Sequence, residues 1–172
     1  MPKWTGGSIH KSHFHPGRNW VFQWNRVVRW KERLKTISVD LKTRDLSQDD
    51  VDFMIAFFQT CYHMRDWLSA SIPDLKSEVD RLFQESFELQ VLRDVCNGTK
   101  HCDINRPSID ADFSLVREYD HLSGHEGFAA QRYWLLFGEH EIQKIDVFEF
   151  AEKCFVTIRD FLKISVTLEN EE

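Results

Sequence analysis

From Asp146 to Ser165 one face is marked by Val147, Phe148, Ala151, Cys154, Phe155, Ile158, Leu162 and Ser165, at the period of a helix that buries one side. Such a helix needs other apolar faces to pack on, and earlier stretches of the chain supply them. Residues 18–36 place Trp20, Trp24, Val27, Val28, Lys31 and Leu34 at helical spacing, with Arg18, Arg26, Arg29 and Arg33 around them. A second helix is expected from Ser47, with Asp50 three residues on as a start signal, to about Ser69. Its apolar face is Met54, Phe57, Phe58, Cys61, Met64 and Leu68. The run Ser71-Ile72-Pro73-Asp74 ends it, because proline lacks a donor and disfavours helix in the residue before it. A third helix is expected from about Leu75 to Asn97, on Val79, Leu82, Phe83, Phe87, Val91, Leu92 and Val95. Its period slips slightly near Ser86–Glu88, which leaves room for a kink in an otherwise continuous helix.

The period changes between residues 102 and 145. Phe113, Leu115, Arg117 and Tyr119 alternate with Ser114, Val116 and Glu118, which predicts a strand. His121 to Gly127 reads as a loop, Gln131 to Phe137 as the returning strand, and Ile142–Ile145 as a short third one. The expected fold is therefore mainly α. It is a four-helix bundle with an antiparallel β-hairpin or small sheet inserted between the third and fourth helices. One domain is expected over 1–172: an arm at 1–16, three helices within 18–103, the hairpin insertion at 110–145 and the last helix at 146–166.

Composition narrows the function classes. Fourteen Phe and six Trp build the core from large rings. No apolar run approaches the roughly 18 residues of a membrane span, and the first residues have no apolar h-region of a secretory signal. The four cysteines form no CxxC pair, and Cys61 and Cys154 fall on apolar helix faces, so buried free thiols in a reducing cytoplasm are expected. The net charge of −6 is unevenly spread: residues 1–44 hold ten Lys/Arg against Glu32 and Asp40, a surplus of +8, and the remainder carries −14. The basic part either meets a polyanion or lies on the acidic body of its own chain or of a partner protein. The rings and guanidinium groups of residues 18–36 suit nucleic acid, although Trp20 and Trp24 lie on the apolar stripe and fit the core equally.

The stretch Arg93-Asp94-Val95-Cys96-Asn97-Gly98-Thr99-Lys100-His101 carries the most chemistry. If helix continues through Gly98, then Arg93, Asn97 and His101 share one face. Arg93 and Lys100 would then bind phosphate, Asn97 would orient it, and His101 would act as general acid and base. Cations at a helix C-terminus are also favoured by the helix dipole alone, by about 0.3–1 kcal/mol, which accounts for Lys100 and His101 without any ligand. A second group is His63, Arg65 and Asp66, read as substrate-binding. Asp66 would orient His63 as a tautomer, or Arg65 and Asp66 would form a solvated pair beside Trp67. His10, His13 and His15 have a spacing that a metal could use, but no carboxylate or cysteine lies close by. The same holds for His121 and His125 in their glycine loop, and no metal or cofactor is expected.

The helical part, roughly 47–103 with 145–166, resembles the HEPN superfamily, on the Arg93…His101 element at a helix end. The "HMRDW" and "RDVCNGTKH" stretches also resemble a group of small prokaryotic and phage proteins with DW and NGxKH elements. HEPN ribonucleases carry an arginine, often followed by a polar residue, then a histidine after four to six intervening residues. Here Asp94 follows Arg93, and seven residues separate Arg93 from His101. The resemblance implies a protein that binds RNA or a nucleotide, or a metal-independent ribonuclease of a defence or toxin system. It also implies a homodimer with the motifs facing across the interface. The alternative is a non-catalytic interaction module whose basic first helix docks on an acidic protein partner.

Overall fold

A computed structural model describes residues 19–37, 49–100, 107–110, 112–120, 130–138 and 142–166. The arm at 1–16 with its histidines, His101, Cys102, the His121–Gly127 loop and the side chain of Lys100 lie outside the described residues.

The chain is mainly helical with a small antiparallel sheet. The helices are α1 (Trp20–Leu34), α2 (Asp49–Ser71), α3 (Lys76–Glu85), α4 (Phe87–Lys100) and α5 (Val147–Ser165). The strands are β1 (Ser114–Asp120), β2 (Ala130–Phe137) and β3 (Gln143–Asp146), between α4 and α5 in the chain. A single 3-10 turn at Pro73–Leu75 joins α2 to α3, as the proline requires.

The third expected helix is two helices. At Ser86 the backbone is extended (φ −80°, ψ 120°). Its N–H closes α3 on the Leu82 carbonyl at 3.1 Å, and its own carbonyl opens α4 by accepting from Gln90 N–H at 3.0 Å. The slip in apolar period explains the break. Continued straight at about 100° per residue, Leu92 and Val95 would face away from Val79 and Phe83. All four are buried, so the chain bends to bring both faces to one core. From α5, Thr157 donates its hydroxyl to the Glu88 carboxylate, and the Cys154 thiol lies 3.7 Å from the Glu88 carbonyl, fixing where α4 starts.

The core centres on α2. Met54, Phe57, Cys61, Met64 and Leu68 are fully buried and join Leu89 and Leu92 of α4 with Phe150, Cys154 and Ile158 of α5. Each of the Leu, Ile, Phe and Met side chains among them contributes about 1.5–3 kcal/mol by leaving water. Trp24 of α1 stacks on Phe155 of α5 with centroids 4.9 Å apart, so the α1 tryptophans belong to the packing. Gln23, 2 % exposed, donates its side-chain amide to the Thr60 carbonyl at 2.9 Å and ties α1 to α2.

The sheet has the order β1-β2-β3, with Val116 opposite Trp134 and Leu135 opposite Ile145. Tyr133, Leu135 and Phe137 alternate inward and are buried. The Tyr133 hydroxyl donates to the buried Asp50 carboxylate in the first turn of α2 at 2.9 Å, linking sheet to helices. On the outer face Glu118 accepts from the Trp134 indole at 2.6 Å and from Lys144 at 2.9 Å. Asp146 then caps α5, its carboxylate accepting from Phe148 and Glu149 N–H at 2.9 and 3.0 Å.

Candidate functional site

The C-terminal end of α4 runs unbroken through Gly98 to Lys100, so Arg93 and Asn97 stand one turn apart on one face. A glycine inside a helix costs about 0.5–1 kcal/mol relative to alanine. Two side-chain bonds brace this turn: the Thr99 hydroxyl donates to the Cys96 carbonyl at 2.9 Å and accepts from the Gln59 amide at 3.1 Å. Asn97 is half-buried.

Arg93 and Asp94 both reach the segment 107–110. Arg93 donates from Nη1 to the Ser108 hydroxyl at 2.9 Å. Asp94, fully buried, accepts from the backbone N–H groups of Ser108 (2.8 and 2.9 Å to its two oxygens), Ile109 (2.6 Å) and Asp110 (3.3 Å). Asp110 continues the link: it accepts from Asp112 N–H at 3.0 Å and from the N–H of Gly138, which follows β2. Gly138 has φ 103°, a conformation that favours glycine. The carboxylate beside Arg93 is thus a fastener between α4 and the approach to the sheet. The sequence marks Asp94 only as the polar residue that follows Arg93, with no structural role. The available signal was a charged residue on the buried stripe of α4, between Val91 and Val95.

The break at Ser86 changes how the two polar groups relate. In a straight hairpin the end of the third helix would lie roughly 25 Å from Asp66. Instead Thr99 meets Gln59. Gln59, His63 and Asp66 recur at i, i+4 and i+7 on α2, so His63 is one turn and Asp66 two turns, about 10 Å, from that contact along the same face. His63 is half-buried and Asp66 is exposed.

Arg65 points elsewhere. Its Nε and Nη2 donate to one oxygen of Asp80 on α3, at 3.0 and 2.7 Å, while Lys76 holds the other oxygen. The hydrogen bonds from Lys76 and then Arg65 hold the Asp80 carboxyl below the usual range, and the Asp80 bond raises the Arg65 guanidinium further above its ordinary value. Arg65 therefore pairs across to α3, which corrects the expectation of a solvated pair with its neighbour Asp66. Trp67 stacks against Phe22 of α1, with centroids 6.4 Å apart.

Three cysteines, Cys61, Cys96 and Cys154, are buried as thiols, not disulfides, where α2, α4 and α5 meet. Burial first, and the neighbouring Cys96 thiol second, push Cys61 well above the ordinary thiol range. Cys154 is raised by burial first, then by the Cys61 thiol, the Glu88 carboxylate and the Cys96 thiol. They pack as small apolar groups. Among the described residues no cluster of three His, Cys, Asp or Glu could hold a metal ion, and no helix is long and apolar enough to cross a membrane.

No family model matches the chain, and no curated protein and no solved structure is significantly similar to it.

Proposed function

We propose that this chain is a HEPN-like cytoplasmic protein that binds RNA or a nucleotide at the C-terminal end of α4, its helices forming a bundle around that site. The reading is supported chiefly by the continuation of α4 through Gly98, which puts Arg93 and Asn97 one turn apart on one face of that helix end. Arg93 then offers a guanidinium and Asn97 an amide to phosphate, with Lys100 following. His101, four residues after Asn97 in sequence, is the acid–base group of a metal-independent cleavage that passes no charge to a bound ion. The helix C-terminus carries partial negative charge, so the cations must outweigh an unfavourable dipole before an anion binds. Arg65, engaged by Asp80, supports the fold in this reading, and His63 and Asp66 border the ligand. A homodimer would bring two such helix ends together.

A second reading, binding without cleavage, is favoured by one contact: Arg93 already donates to Ser108, which limits its reach toward a transition state. One assay separates them. Labelled RNA is incubated with the protein, with and without EDTA, beside His101→Ala. Cleavage that survives EDTA and is lost in the variant supports the ribonuclease. No cleavage, with RNA or nucleotide still bound, leaves the binding protein. Neither cleavage nor binding at this site overturns both.

A further inference from the structure

The structure decides which of the basic charges on α1 are consumed inside the molecule. Lys31 pairs with Glu152 of α5 at 2.7 Å and lies 3.7 Å over the Phe155 ring, so it docks α1 on the acidic body. Lys35 pairs with Glu32 at 2.7 Å. Arg26, Arg29 and Arg33 are exposed, and no carboxylate among the described residues pairs with any of them.

These three arginines are aligned. At about 100° per residue Phe22, Arg26, Arg29 and Arg33 fall within about 60° of one another, on a line about 16 Å long. Rings are interleaved with the charges: Arg26 lies 5.0 Å over Phe22, and Arg33 lies 4.4 Å over Trp30. Phe22 is 38 % exposed, beside an equally exposed Val21 (40 %). A guanidinium held over a ring keeps its outer edge free for phosphate and offers a flat face to a base.

We propose that this face of α1 binds single-stranded RNA, with Arg26, Arg29 and Arg33 on successive phosphates and the flat guanidinium faces held over Phe22 and Trp30 beside the bases. The inference deepens the RNA reading and rests on it for the class of ligand, but it concerns a different surface from the end of α4. Charge complementarity selects a polyanion. Among polyanions, the alternation of ring and guanidinium along one line matches a chain that alternates base and phosphate. An acidic protein helix would engage the edges of the guanidinium groups and leave their flat faces unused.

The test uses the full chain and a fluorescent oligouridylate, titrated at several salt concentrations. The triple variant Arg26→Gln/Arg29→Gln/Arg33→Gln changes only exposed groups. A control triple, Arg81→Gln/Lys153→Gln/Lys163→Gln, removes the same net charge from exposed positions on α3 and α5. The proposal expects the α1 triple to bind at least about tenfold more weakly, with the slope of log K against log salt shallower by about 2, the value for three lost contacts to a single strand. The control triple should bind like the unmodified protein. Absence of oligouridylate binding, equal losses in both triples, or an unchanged α1 triple would each overturn the proposal. So would inorganic polyphosphate or polyglutamate binding as tightly as RNA, the last pointing to an acidic protein partner instead. The reading at α4 fails separately: Asn97→Ala and His101→Ala report on cleavage and nucleotide binding, whichever way the α1 result falls.

Discussion

Removing the Asp94 carboxylate should cost more stability than any other single polar change in the α4 region. Its two oxygens take short bonds from Ser108 and Ile109 N–H and a weaker one at 3.3 Å from Asp110, and the group is fully buried. A hydrogen bond to a charged acceptor contributes about 1.5–3 kcal/mol, and a donor left without a partner loses its desolvation cost as well. Two strong bonds therefore set the loss in Asp94→Ala at about 3 kcal/mol or more, the third being too long to add much. For a chain of this length that corresponds to a fall in Tm of roughly 6–12 °C. Arg93→Ala removes one bond from a half-buried guanidinium and should cost about 1 kcal/mol. Urea unfolding followed by tryptophan fluorescence measures both. Hydrogen exchange adds a local reading, with the amides of residues 108–110 losing protection in Asp94→Ala. A loss below about 1 kcal/mol, or unchanged protection at 108–110, would refute the assignment of Asp94 as a fastener.

Other outcomes follow from single contacts. Gln23 keeps its side-chain oxygen buried without a partner, and the Thr60 carbonyl it bonds lies inside a helix, so Gln23→Met should leave stability unchanged or raise it by about 1 kcal/mol in urea unfolding. Asp80 has a folded-state pKa below its unfolded one, so its contribution is present at neutral pH and is lost as pH falls below the ordinary carboxylate range. Asp80→Asn should cost about 1 kcal/mol at pH 7 and much less at pH 3, by urea midpoints at the two values. The buried thiols should resist a thiol reagent at pH 8 until unfolding, so a Cys102→Ser variant should show no rapidly reacting thiol.

The helices were legible because each carries an apolar period of its own, and the strand alternation at residues 113–119 and 131–137 was legible for the same reason. The break at Ser86 was visible only as a slip in period. Its depth depended on α4 having to bury Leu92 and Val95 in the core that already holds Val79 and Phe83. Asp94 was hidden because its partners are backbone N–H groups about fifteen residues away, and backbone donors leave no trace in residue identity. The Arg65–Asp80 pair was hidden by the nearer carboxylate at Asp66, which the direction of the side chain rules out as the partner. On α1 charge and rings stand together in the sequence, and only packing separates Lys31, docked on Glu152, from the three arginines that face outward.

The proposed role of the α4 end is tested most directly by nuclear magnetic resonance of the 15N-labelled full chain titrated with a short oligouridylate. The account predicts shifts at the Asn97 side-chain amide and the Arg93 Nε–H, with smaller ones along Gln59 and His63, and little change at the Ser108 and Ile109 amides held by Asp94. Saturating RNA that leaves Arg93 and Asn97 unmoved while shifting only the α1 arginines would contradict it.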